Sequence, residues 1–342
     1  MAVPQSTRLA LFSAQPYDRR FFEEARAGLA QHGRASVDIV YHDTALDIGT
    51  AVLAQGCDAV CVFVNDVLDA AVLHKLHDAG VRAVLLRCAG FNNVDLGTLA
   101  GLGMFAARVP AYSPEAVAEH ALAMILTLNR HTHRAWNRVR EGNFALDGLL
   151  GFNLHGKTAG IVGTGKIGLA TARILRGFGC RVLGHDPYPA PAFEELGSMV
   201  PLDDLLAESD IVSLHCPLMP ATHHLINHAT LGRMKQGAML VNTSRGGLID
   251  TTAVIGALKS RRLGALAIDV YEQESALFFR DHSSEIIADD VFGRLTTFPN
   301  VLITGHQGFF TIEALREIAA ITFDNLECWR AGQPCAHLLP AA

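Results

Sequence analysis

The sequence predicts an α/β protein built on two doubly wound parallel sheets, and three observations carry that prediction. Short apolar runs of strand length alternate with helical patterns along most of the 342 residues. A glycine-rich turn, Gly163-Thr164-Gly165-Lys166-Ile167-Gly168, joins one such run to a helical pattern near the middle of the chain. An acid, Asp186, closes the next apolar run.

Before the turn, residues 8–13, 37–41, 59–64 and 81–87 read as strands, with helices over 21–31 and 67–78. A long helix is expected to begin at Ser113, a good N-cap, with Pro114 at its first position and Glu115 suited to the dipole. It runs into the 129–140 region. After the turn, the strands are 181–185, 211–215, 238–242, 264–269 and 301–304, with helices such as 203–208 and 252–259 between them. A last amphipathic helix, 311–330, has too few neighbours to form a domain and is expected to return to the N-terminal sheet.

Each glycine of the turn has a physical task. Gly163 permits the sharp exit from the strand, Gly165 lets a pyrophosphate approach the backbone, and Gly168 brings helix and sheet together. The helix N-terminus then offers free N–H groups and a positive dipole to the phosphates. Asp186 accepts hydrogen bonds from ribose hydroxyls and repels a 2′-phosphate; Pro187 and Tyr188 follow, with no arginine to receive one. The expected cofactor is NAD rather than NADP. The predicted architecture is a Rossmann cofactor domain, 113–308, inserted in a discontinuous flavodoxin-like substrate domain, 1–112 and 309–342.

Half of the residues are hydrophobic, so a large core is available. A net charge of −6 gives no general attraction to nucleic acid or to anionic membranes. Residues 1–8 contain no apolar signal core, and the longest apolar patch, 121–128, is too short to span a bilayer. Seven scattered cysteines without a CxxC pair argue for reduced thiols and a cytoplasmic protein, most of them serving as small core residues. Cys57 and Cys61 are expected on one strand.

A nicotinamide enzyme acting on a keto acid needs a cation for the carboxylate, a proton donor for the carbonyl oxygen, and a group that holds the donor. In an α/β sheet these belong at the carboxyl ends of strands. Arg245, Glu274 and His306 each follow a predicted strand. Singly, such residues are more often surface or loop residues; their joint placement is what points to catalysis. Spacing alone does not choose between Glu272 and Glu274.

Several segments carry a family resemblance: Cys61-Val-Phe-Val-Asn-Asp66, Leu86-Arg-Cys-Ala-Gly-Phe-Asn-Asn-Val-Asp95, and Val109-Pro-Ala-Tyr-Ser-Pro-Glu-Ala-Val-Ala-Glu-His120. They continue through the glycine turn, His215-Cys-Pro-Leu218, and the segments 241–250, 269–279 and 301–310. In this order the chain resembles, over nearly its whole length, the D-isomer-specific 2-hydroxyacid dehydrogenases, and within them the fermentative D-lactate branch. The resemblance implies that His306 is the proton donor and acceptor, with Glu274 rather than Glu272 as its paired acid, and that Arg245 binds the substrate carboxylate. It implies that the backbone amides of Ala89 and Gly90 also receive that carboxylate, with Tyr112 and Phe309 as pocket walls. On the cofactor side it implicates Lys166, Ile167, Asp186, Cys216, Pro217, Thr222 and Thr243. Asp269 matches a position near the nicotinamide that tunes the pH response. The implied reaction is reversible reduction of pyruvate to D-lactate with NADH.

The long segment 275–305 looks like the lactate-type branch, against a reading as a plain surface insertion. Phe63, Tyr112 and Phe309 suggest an apolar pocket for a small side chain, without excluding a larger 2-keto acid. Gly308 stands where alanine is common in relatives. A different class of function, a non-catalytic NAD-sensing regulator, is disfavoured by the retained Arg245, Glu274 and His306. The 113–140 region resembles the segment that pairs cofactor domains in the family, which implies a homodimer or homotetramer.

Other signals carry less. Arg130, Arg134 and Arg138 are spaced to share one helix face, a solvated face or an interface rather than a nucleic-acid surface. No metal is expected: His131 and His133 splay on a helix, and His223 and His224 point to opposite sides if extended.

Overall fold

The computed structural model describes residues 6–31 and 36–340. The first five residues of the N-terminal stretch read for a signal core therefore lie outside the described residues. The chain divides into two compact units, Met1–Ser113 with Phe310–Ala342, and Pro114–Phe309.

The first unit opens with β1 (Thr7–Leu11), α1 (Pro16–Gln31), β2 (Val37–Tyr41), β3 (Ala59–Val62), α2 (Ala70–Asp78), β4 (Ala83–Leu86), α3 (Leu96–Gly101) and β5 (Phe105–Arg108). The second unit contains α4 (Pro114–Arg130), α5 (Thr132–Arg140), β6 (Thr158–Val162), α6 (Lys166–Gly177), β7 (Arg181–His185), β8 (Ser198–Met199), α7 (Leu202–Glu208), β9 (Ile211–Leu214), α8 (His228–Arg233), β10 (Ala238–Asn242), α9 (Thr251–Lys259), β11 (Leu263–Ile268), α10 (Asp290–Thr296) and β12 (Val301–Ile303). The chain then returns to the first unit as α11 (Ile312–Ala331).

The first sheet has the order β2-β1-β3-β4-β5, all parallel, the doubly wound order of flavodoxin-like folds. Its strands β3 and β4 are buried at every position, as sheets covered on both faces require. The last helix covers this sheet because its apolar face has nowhere else to go: Ala319, Phe323 and Leu326 join Leu9, Phe22 and Leu85 in one core. Beyond α11 the tail pairs antiparallel with β5, Leu339 N–H donating to the Ala106 carbonyl at 3.0 Å. Cys57 precedes β3 rather than lying on it with Cys61; burial pushes the Cys61 thiol up to about 12, as expected of a core residue. Among the described residues, none of the seven cysteines forms a disulfide.

The second sheet has the order β12-β11-β10-β9-β6-β7-β8, again all parallel. Read from β8, this is the Rossmann order with a seventh strand added, and the order reverses between β6 and β9. One layer of core, including Leu128, Ile161 and Val241, lies under α4 and α6; another, including Leu214, Leu240 and Leu266, lies under α8 and α9.

Several boundaries differ from expectation for local reasons. α1 starts five residues early because Pro16 fits a first helical turn and the Asp18 carboxylate accepts the Gln15 N–H at 3.0 Å. The long helix breaks at His131, which adopts φ 51°. Arg130 therefore ends α4, while Arg134 and Arg138 belong to α5, and the expected three-arginine stripe does not form. The 275–305 segment is no loose insertion. Phe278 and Leu295 are buried, Phe292 packs on Tyr271 with ring centroids 5.2 Å apart, and the Tyr271 hydroxyl donates to Asp289 at 2.8 Å. No helix among the described residues is long and apolar enough to cross a membrane.

Candidate active site

The carboxyl ends of β6, β7, β9, β10, β11 and β12 carry, in turn, Gly163, Asp186, Cys216, Thr243, Asp269 and His306. This is the edge where ligands of doubly wound sheets bind. At the β6–α6 turn, Gly163 has φ +95°, and a Cβ there would meet the Cys216 backbone nitrogen at 2.5 Å. A Cβ on Gly168 would fall 2.0 Å from the Gly163 carbonyl oxygen. Gly165, by contrast, has nothing within 4 Å of where its Cβ would stand. Among the described residues no side chain caps α6 at Gly165, so its first N–H groups are left without a side-chain acceptor.

Those features fit a dinucleotide. Asp186 is fixed in place by the N–H groups of Thr164 (2.7 Å) and Tyr188 (2.8 Å), at the end of β7. Thr243 is buried, and among the described residues its hydroxyl has no hydrogen-bond partner, which suits a contact to bound cofactor. Lys166 is exposed and Ile167 half-buried at the start of α6. Cys216 is buried, its thiol pushed up to about 11 by that burial, and its carbonyl accepts the Ser244 hydroxyl at 2.7 Å. Thr222 closes the turn after Pro217, donating to the Pro217 carbonyl at 2.7 Å. Thr222 is thus engaged in shaping the loop.

His306, Glu274 and Arg245 lie on three neighbouring strand ends. His306 presents Nδ1 to Glu274 Oε1 at 2.9 Å. Only 15% of the imidazole side chain and 21% of the carboxylate side chain reach solvent, so the pair is largely shielded from water. The other carboxylate oxygen accepts the Tyr271 N–H at 2.9 Å. With Nδ1 engaged, Nε2 is the ring atom left for a ligand. Glu272 turns elsewhere, to His224 (2.6 Å) and Thr251 (3.1 Å). Arg245 is half-buried; its Nη1 donates to the Ser244 carbonyl at 2.7 Å, and among the described residues no carboxylate pairs with it. Phe279 and Phe309 flank the imidazole, with centroids 5.6 and 6.5 Å from it.

Asp269 is more deeply engaged than its position in the sequence suggests. Its Oδ1 accepts the Thr304 hydroxyl at 2.5 Å and the Gln307 N–H at 2.9 Å, and lies 3.2 Å from His120 Nε2. Its Oδ2 accepts the Gly308 N–H at 2.8 Å. Burial acts to raise its carboxyl, and the bonds from His120, Thr304 and Gln307 outweigh it, leaving the group below the usual carboxylate range. His120 and Thr304 were not singled out from the sequence. The available signal was a histidine on the face of α4 that otherwise carries Ala116, Met124 and Leu128.

In the first unit, Ala89 and Gly90 follow β4. Arg108 donates to the Ala89 carbonyl at 2.6 Å, while among the described residues the two N–H groups donate to nothing. Tyr112 is half-buried after β5. Beneath this loop lies buried Arg87, paired with Asp18 at 3.3 Å and stacked over Phe63 at 4.9 Å. Phe63 is therefore committed to packing. Asp66 anchors the neighbouring loops, accepting Ser13 Oγ (2.7 Å), Leu46 N–H (2.7 Å) and Phe63 N–H (2.6 Å).

Comparison with known proteins agrees with this geometry. Residues 122–308 match the model of the D-isomer specific 2-hydroxyacid dehydrogenase NAD binding domain. The chain is 60% identical over 332 residues to 2-hydroxyacid dehydrogenase A of Aspergillus oryzae, covering 97% of this chain and 95% of that one. It superposes on the apo-structure of D-lactate dehydrogenase from Escherichia coli with TM-score 0.88 at 48% identity, covering 98% and 100% of the two chains. It also superposes on the pyruvate reductase of Chlamydomonas reinhardtii with TM-score 0.90 at 45% identity, with the same coverage. The chain belongs to the D-isomer-specific 2-hydroxyacid dehydrogenases, a family of NAD-dependent enzymes.

Proposed function

We propose that this enzyme reversibly reduces pyruvate to D-lactate with NADH. The observation that carries the reading is the His306–Glu274 pair, 2.9 Å apart, on the strand-end edge that also holds the open glycine turn. Bound NADH supplies the hydride that adds to C2 of the keto acid. As charge develops on the carbonyl oxygen, His306 donates a proton from Nε2. Glu274 accepts from Nδ1 and fixes the ring plane. Arg245, without a carboxylate partner among the described residues, binds the substrate carboxylate by charge-assisted hydrogen bonds. In the first unit, the Ala89 and Gly90 N–H groups, which donate to nothing among the described residues, are read as carboxylate donors and Tyr112 as a pocket wall; in the second, Phe309 is read as a pocket wall. In the reverse direction His306 Nε2 takes the proton from the hydroxyl.

Phe279 and Phe309 beside the imidazole favour a small apolar side chain such as the methyl of pyruvate. The names of the Escherichia coli and Chlamydomonas proteins point the same way. Comparing kcat/KM for pyruvate, phenylpyruvate and glyoxylate with NADH tests the reading. Pyruvate is expected to lead. Preference for phenylpyruvate would assign a larger substrate, and no turnover with any keto acid would favour an NAD-sensing regulator.

The first unit is read as the substrate domain and the second as the cofactor domain. We further read the chain as a cytoplasmic homodimer or homotetramer. Trp136, Val139, Phe144, Leu146 and Leu150 are all exposed on α5 and the segment after it, more apolar surface than an isolated helix end tolerates. Light scattering on the purified enzyme checks this, and a monomer at working concentration would contradict it.

A further inference from the structure

Three ligand-type side chains cluster outside the residues given roles above. His223, His224 and Glu272 each offer a nitrogen or oxygen, and these atoms all lie within 4.8 Å of one another. The expectation that adjacent histidines diverge fails here because the chain is not extended. His224 adopts φ 50°, and its N–H is held by the Gly247 carbonyl at 2.8 Å. The two rings consequently stack, with centroids 3.9 Å apart and planes at 22°.

We propose that His223, His224 and Glu272 form a binding site for a divalent transition ion of the zinc class. Two imidazoles and a carboxylate make a borderline donor set that suits zinc, whereas calcium and magnesium take oxygen ligands. His224 Nε2 and Glu272 Oε1 already stand 2.6 Å apart. The second Glu272 oxygen accepts the Thr251 hydroxyl at 3.1 Å, the kind of outer bond that orients a ligating carboxylate. The stacked rings hold their in-plane lone pairs side by side, so coordination takes a turn of the exposed His223 ring from one rotamer to another. His224 and Glu272 side chains are 33% and 30% exposed, which leaves room for water on the ion.

The site bears on the turn after Arg245. His224 is bonded to Gly247, and a Cβ on Gly246 would fall 2.1 Å from the Tyr271 carbonyl carbon, one residue from Glu272. An ion bound between His224 and Glu272 widens their 2.6 Å separation to the spacing of two tetrahedral ligands, and so acts on both contacts of this turn and shifts Arg245. This coupling rests on the proposed role of Arg245; the site itself does not.

The test is a calorimetric titration of Zn²⁺ into the whole wild-type enzyme and into His223→Ala, with Co²⁺ as a spectroscopic probe. One ion per chain is expected, with affinity falling about tenfold or more in the variant. NADH binding should be unchanged, and the Co²⁺ spectrum should lack thiolate charge transfer. Equal affinity in the variant, a thiolate spectrum, or no stoichiometric binding would overturn the site. Zinc should also raise KM for pyruvate in the wild type and leave His223→Ala unaffected. Binding without that change would overturn the coupling alone, whereas inactivity without zinc would count against the proposed reaction.

Discussion

The backbone N–H of His306 donates to the Asp269 carbonyl oxygen at 2.8 Å, and the carboxylate of the same aspartate accepts the next two N–H groups in the chain. Three successive amides thus converge on one residue. This template holds His306 at φ 54°, a left-handed conformation that costs an ordinary residue about 1–2 kcal/mol. Asp269 thereby sets where the imidazole stands without touching its ring.

Asp269→Asn keeps the shape but cannot match every donor. The expected loss of stability is about 1–3 kcal/mol near neutral pH, measured by denaturant unfolding. The sign with pH follows from the lowered carboxyl. The ionised form stabilises the fold above the ordinary value of 3.8, and that contribution is lost as pH falls through the lower folded value. The stability gap between wild type and variant should therefore be constant above that range and close on its acid side. A gap that widens with acid would contradict the assignment.

His120→Ala removes one donor from Asp269 while Thr304 and Gln307 remain. It should cost about 1–3 kcal/mol of stability and lower kcat through misplacement of the His306 loop, with NADH affinity retained. Unaltered kcat and unfolding midpoint would remove His120 from this network.

Arg245→Lys keeps the charge and loses the planar fork. We expect KM for pyruvate to rise about 10–100-fold with a smaller change in kcat, in steady-state assays. An unchanged KM would count against carboxylate binding by Arg245.

Gly163→Ala places a Cβ 2.5 Å from the Cys216 nitrogen, on a residue at φ +95°. A stability loss of about 1–3 kcal/mol is expected, together with weakened NADH binding in a fluorescence titration. Gly308→Ala is the milder comparison, since its Cβ would stand 3.1 Å from Asp269 Oδ2 and a small shift absorbs it. Equal behaviour of the two variants would refute the distinction.

Most strands of both sheets were legible because parallel sheets covered on two faces read as short apolar runs, as at 158–162 and 238–242, whereas β5 at 105–108 was not read. Elements too short to leave a pattern escaped, such as β8 with two residues and α3 with six. α8 was missed despite a readable capping box, Asn227 with Thr230. The break at His131 and the stacking of His223 on His224 depend on left-handed backbone at residues that carry no glycine signal. At the site, residue types after strand ends were readable, but the choice of Glu274 over Glu272 needed the family resemblance. The roles of His120 and Thr304 required tertiary structure, because they approach Asp269 from separate elements.

On the proposed mechanism His306 moves the proton. Steady-state reduction of pyruvate by His306→Gln, followed by NADH absorbance alongside an NADH-binding titration, tests it most directly. The expected result is a fall in kcat of about 10²–10⁴-fold with NADH affinity intact. Near-normal turnover in that variant would contradict it.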